Sequence, residues 1–117
     1  MDGVRLLLKR TDIDVNQARE DGATPLYIAS QEGHVDVVQL LLARKEIQIN
    51  QADEKGRTPL YVACQKDHVK VVNALLANKK IQINQAKNDG RTPLYTACGN
   101  GFVKVVNVLL ARKEIQI

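Results

Sequence analysis

A chain of 117 residues with 44% hydrophobic but only 3% aromatic residues and no tryptophan can bury aliphatic surface, yet it offers few rings on which nucleic-acid bases could stack. No run approaches the roughly 18 apolar residues of a membrane span, and the N-terminus lacks the charged-then-apolar order of a secretory signal, so the chain is expected to be intracellular and cytoplasmic. The net charge of +4 is uneven: residues 1–54 hold 6 Lys and Arg against 10 Asp and Glu, residues 55–117 hold 11 against 3, and the halves carry −4 and +8.

Residues 1–15 read as the second half of a repeating unit, because residues 2–8 align with 36–42 at an offset of 34. Complete units follow at 16–49, 50–83 and 84–117, each opening on Asn-Gln-Ala: Asn16, Asn50 and Asn84. The asparagine side chain is expected to bond nearby backbone and fix the start of a turn. Polar residues then lead to Gly22, Gly56 and Gly90, two before each threonine, which predicts a tight turn with the glycine at positive φ.

Thr24-Pro25-Leu26-Tyr27 recurs as Thr58-Pro59-Leu60-Tyr61 and Thr92-Pro93-Leu94-Tyr95. Threonine can cap a helix and proline suits its first position, so first helices are predicted near Pro25 to Gln31, Pro59 to Gln65 and Pro93 to Cys98. Leu26 and Ala29 face inward, and the small residues Ser30, Cys64 and Cys98 imply close backbone approach. Gly33 and Gly101 end these helices in a left-handed conformation; Asp67 stands at the matching place under mild strain. Second helices are predicted at Val35 to Ala43, Val69 to Ala77 and Val103 to Ala111, exposing Asp36, Gln39, Lys70, Asn73, Lys104 and Asn107. In the loop that follows, Ile47 and Ile49 point to one side.

Repeats of this period stack into a solenoid whose core is a seam between neighbours. Equivalent residues of stacked units lie roughly 10 Å apart, too far for a disulfide, so Cys64 and Cys98 are expected to be buried free thiols. His34 and His68 are read as helix-entry hydrogen-bonding residues; a zinc pair would need further ligands that do not recur in phase. Tyr27, Tyr61 and Tyr95 are read as half-buried packing residues. No nucleophile, base and orienting acid recur together, no phosphate loop is present, and no catalytic residue, cofactor, metal or small-molecule substrate is assigned.

The sequence Gly-x-Thr-Pro-Leu-x-x-Ala, then Gly-His, a Val-Val-x-x-Leu-Leu run and a loop ending in asparagine resembles the ankyrin repeat over essentially the whole chain. The resemblance implies an all-α solenoid of antiparallel helix pairs joined by β-turn loops, one domain over 1–117, that binds other proteins on its concave side. It further implies that partners meet the turn tips and the surface end of the first helix. By motif alignment these are Glu20, Asp21, Ala23, Gln31 and Glu32; Glu54, Lys55, Arg57, Gln65 and Lys66; and Asn88, Asp89, Arg91, Gly99 and Asn100. As exposed residues, Arg57 and Arg91 are expected to tolerate charge reversal within about 0.5 kcal/mol.

Tyrosine replaces the family's usual histidine after Thr-Pro-Leu, the period is one residue longer than usual, and Phe102 stands where His34 and His68 do. The likeness of the copies suggests recent duplication or an idealised sequence, and the half unit suggests a piece of a longer array. The favoured function is a protein-protein interaction module with a partner of unknown identity. The alternative is a structural or spring-like segment of a larger repeat protein, and the basic C-terminal half leaves nucleic acid as a third, disfavoured ligand. Apolar flanks around Val4, Leu7, Leu8, Val103, Val106 and Leu110 lead to an expectation of end-to-end self-association.

Overall fold

The computed structural model describes residues 13–117; the expectations for Val4, Leu7 and Leu8 lie outside them. Each threonine begins a helix as predicted. The Oγ1 atoms of Thr24, Thr58 and Thr92 accept the N–H groups of Tyr27, Tyr61 and Tyr95 at 3.1, 3.0 and 3.1 Å, and proline follows where no N–H is needed. The first helices are α1 (Pro25–Glu32), α3 (Pro59–Gln65) and α5 (Pro93–Gly99). Gly33 and Gly101 take φ of 76° and 71°, and Asp67 adopts the same left-handed turn at 61°. The second helices, α2 (Val35–Leu42), α4 (Val69–Leu76) and α6 (Val103–Leu110), stop one residue short of the prediction, with Ala43, Ala77 and Ala111 as their caps.

Each first helix packs on its own second helix, and like helices stack on like along a body of 40 × 25 × 22 Å. The seam between them is aliphatic: Leu26, Leu60 and Leu94, Ala29, Ala63 and Ala97, and Leu41, Leu75 and Leu109 are all buried. Each such leucine contributes about 1.5–3 kcal/mol by leaving water. The six outward polar residues predicted on the second helices are all exposed. Ile47 and Ile49 are buried together in the first loop, and Ile83 repeats the place of Ile49.

The asparagines do more than fix their own turns. Asn16 donates from Nδ2 to the Glu46 carbonyl (2.8 Å) and accepts the Gln48 N–H at Oδ1 (2.9 Å). Asn50 makes the same pair with Lys80 and Gln82, and Asn84 with Glu114 and Gln116. Both ends of each amide therefore tie the loop that opens a unit to the loop that closes it, 30 and 32 residues on, in place of the expected local bond. His68 likewise reaches back, its Nε2 lying 2.9 Å from the Gln31 carbonyl, whereas neither His34 nor His68 caps its own helix. The helix-entry role read from the sequence is thus corrected to a link between units at His68.

The last unit departs from the pattern on its outer flank. Tyr61 is 2% exposed and Cys64 fully buried, but Tyr95 is 59% exposed and Cys98 is also exposed. The expectation of two buried thiols fails at Cys98, and that of three half-buried tyrosines fails in both directions: Tyr27 and Tyr61 are fully buried by the unit stacked on them, while Tyr95 is exposed because no further unit covers α5 among the described residues. Burial pushes the Cys64 thiol up to about 12, which makes it a small hydrophobe at neutral pH.

Candidate recognition strip

Each unit opens on a hairpin. Arg19, Asp53 and Lys87 donate their N–H groups to the carbonyls of Ala23, Arg57 and Arg91 at 3.0, 2.9 and 2.9 Å, closing each hairpin over its glycine. Gly22, Gly56 and Gly90 have φ of 86°, 81° and 90°, a region in which a side chain would be strained. Adjacent hairpins are then joined through their tips. The Glu54 N–H donates to the Asp21 carbonyl (2.8 Å), the Asn88 N–H to the Lys55 carbonyl (2.9 Å), and Asn88 Nδ2 to the Glu54 carbonyl (3.0 Å). A row of turn tips is thereby fixed at the spacing of the helices beneath it.

Most residues assigned to the strip lie on this row or at the ends of α1, α3 and α5. Glu20, Glu32, Glu54, Lys55, Lys66, Asn88, Asp89, Arg91, Gly99 and Asn100 are exposed, and Asp21, Gln31, Arg57 and Gln65 are half-buried. Ala23 is a correction. It is 2% exposed and packs with Tyr27, Tyr61 and Val62 beneath the hairpins, because its unit places no long polar chain at the position where the next two have arginine. The Gln31 carbonyl serves the link to His68, and Asn100 Nδ2 reaches the Gln65 carbonyl at 3.5 Å, so the helix ends are also joined in a row.

Under the second hairpin lies a polar cluster that the sequence reading missed. Asp53 is 9% exposed. Its Oδ2 accepts the Tyr27 hydroxyl and the Arg57 Nε–H, both at 2.8 Å, and its Oδ1 accepts the N–H groups of Lys55 and Arg57 at 2.9 Å. Burial would raise the Asp53 carboxyl, but the Arg57 N–H, the Tyr27 hydroxyl and the Arg57 guanidinium overcome it and leave the group below its ordinary value. Tyr27 is correspondingly pushed well above the usual phenol range, by burial first and then by the Asp53 bond. Arg57 also sits 6.0 Å from the Tyr27 ring centroid. It is therefore a structural partner of Asp53, and the expected tolerance of charge reversal does not extend to it.

Lys87 takes the place of Asp53 in the third hairpin and lies 5.8 Å from the Tyr61 ring centroid, so the second joint has a cation over a ring where the first has a phenol-carboxylate bond. Arg91 lies 5.6 Å from the Tyr95 ring centroid and, with Lys87, contacts the Asp89 carboxylate.

The family model of ankyrin repeats, in 3 copies, matches residues 1–87 and 47–117, two overlapping spans that cover the chain. The chain belongs to the ankyrin repeat family. Its all-α helix-pair solenoid is the architecture that the family resemblance implied. No curated protein sequence gives a significant match. Ankyrin repeats are in general protein-protein interaction modules. Against the family's usual histidine, the link from the first helix to the next hairpin is made here by the Tyr27 hydroxyl at the first joint. Among the described residues, no helix is long and apolar enough to cross a membrane.

Proposed function

We propose that this ankyrin-repeat chain is a non-enzymatic, intracellular protein-binding module whose partner lies along the concave row of hairpin tips and first-helix ends. The observation that carries this reading is the ladder of backbone bonds joining the tips, Glu54 to Asp21 and Asn88 to Lys55. It holds exposed side chains such as Glu20, Lys55, Asn88 and Arg91 on a rigid frame, which lowers the ordering cost of binding. The outward faces of α2, α4 and α6 carry polar side chains with no comparable projecting loops. An exposed free thiol at Cys98 fits a reducing compartment.

The test uses a photo-crosslinking residue placed singly at Lys55 or Asn88 on the tips, or at Asn73 on α4, in lysate. Adducts several-fold more abundant from the tips are expected. Equal yield from Asn73, or no adduct from any site, would favour a structural segment without a dedicated partner. A second copy of the chain is a further proposed partner, through the apolar flank of the last unit, where Val103 is 67% and Leu110 45% exposed.

A further inference from the structure

The three units share one backbone but place opposite charges at the same points of the strip. Before the turn glycine stand Asp21, Lys55 and Asp89, and at the end of the first helix Glu32, Lys66 and Asn100. Several of these charges are already answered within the chain. Asp21 is held by Arg19 at 2.6 Å, Asp53 is answered by Arg57 at 2.8 Å, and Asp89 is shared by Lys87 and Arg91 at 3.2 and 3.4 Å.

The charges left over differ along the row. In the first unit they are Glu20 and Glu32, both exposed and, among the described residues, without a side-chain partner. In the second, Lys55 and Lys66 stand against Glu54 and the exposed Asp67, and in the third two cations share one carboxylate. The strip thus passes from about −2 through about 0 to about +1 over units spaced roughly 10 Å apart, a distance comparable to the screening length at physiological salt.

From this we infer that the strip takes a dipolar protein segment in one charge order, with its basic part over Glu20 and Glu32 and its acidic part over Lys55, Lys66 and Arg91. The inference rests on the strip being the binding face. About 20 Å of strip corresponds to about six extended residues, so one short linear segment reaches all three units. Cations in the second and third units attract its acidic end, and the unpaired glutamates of the first unit repel that end, so the wrong order is penalised as well as the right one favoured.

The test uses a peptide of about twelve residues with a lysine block and a glutamate block, a scrambled peptide of the same composition, and the full chain followed by NMR. The blocked peptide is expected to bind about five-fold more tightly than the scrambled one, the advantage disappearing in about 1 M salt. A spin label on its acidic end is expected to broaden the amides of Asn88 and Arg91 more than those of Glu20 and Asp21. The double exchange Glu32→Lys with Lys66→Glu is expected to weaken that bias.

Strip resonances that respond equally to both peptides, or a label that broadens the first unit most, would overturn the charge order while leaving the strip as the binding face. Shifts confined to the second helices, or none at about 1 mM peptide, would overturn both. Single-stranded DNA binding more tightly than the blocked peptide at the same salt would assign the cations to nucleic acid instead.

Discussion

At the scale of single residues, equivalent positions have different neighbours, and that difference sets the outcome of substitution. A Cβ at Gly22 would lie 3.0 Å from the Asp53 Cα, and one at Gly56 2.8 Å from the Asn88 N, but one at Gly90 would meet nothing within 4 Å. Replacement by alanine should therefore cost about 1 kcal/mol at Gly90 through backbone strain alone, and about 2–4 kcal/mol at Gly22 or Gly56, where the hairpin ladder must also part. Chemical denaturation of the three variants checks this, and equal losses would mean that strain alone matters.

Asp53 supplies a second contrast. Its carboxyl is lowered in the folded state, so its contribution is present above the unfolded carboxylate range near 3.9 and is lost as pH falls through the lower folded value. The unfolding midpoint should accordingly decline below about pH 4, with a shallower decline in Asp53→Asn. Arg57→Glu, which sets two carboxylates against each other, should cost about 2–3 kcal/mol at neutral pH, whereas the more exposed Arg91→Glu should stay within about 0.5 kcal/mol. The glycine turns were readable from sequence because the chemistry is local. The Asp53 cluster was not, since its phenol comes from the preceding unit and its acid occupies a position that holds Arg19 and Lys87 elsewhere.

At the scale of elements, helix starts were legible because threonine, proline and the third N–H are neighbours in the chain, and Asp67 was correctly read as the left-handed counterpart of Gly33 and Gly101. The role of the asparagines was only half legible. Their backbone partners lie 30 and 32 residues away, beyond the reach of a local turn rule. This makes Asn50 a coupling residue between loops. Asn50→Ala removes one donor and one acceptor and should cost about 1–2 kcal/mol. In a solenoid, whose stability is a sum of units and their joints, that cost falls on the second unit, whose opening and closing loops the side chain ties together. Hydrogen exchange should therefore quicken first in the loop that closes the second unit, which contains Lys80 and Gln82; uniform acceleration over all units would instead indicate a single cooperative block.

At the scale of the whole molecule, the two flanks of the described residues carry apolar surface of different shape. On the outer side of the last unit, Tyr95, Val103 and Leu110 are 59%, 67% and 45% exposed, while Val106 is half-buried and contributes less than the sequence suggested. On the opposite side, among the described residues, a cleft of about 520 Å³ is lined by Ile13, Val15, Pro25, Ile28 and Val37. Pro25 is exposed there, although Pro59 and Pro93 are buried at their own joints. A second copy cannot rebuild an internal joint in full, because the segment with Ile13 and Val15 already occupies the place that Ile47 and Ile49 hold between later units. Contact is therefore confined to the cleft, and the association should be weak. Halves of −4 and +8 favour a head-to-tail approach, which salt screens, and such a contact need not close into a ring. Sedimentation at low salt is expected to show concentration-dependent assembly near about 0.1 mM, at a scale of about 5–6 kcal/mol. It should diminish at high salt and in the variant Val103→Ser with Leu110→Gln, which alters only exposed side chains and should leave the unfolding midpoint nearly unchanged. A strict monomer of 13.0 kDa under these conditions would remove the idea, and assembly indifferent to both salt and the double variant would move the contact to another face.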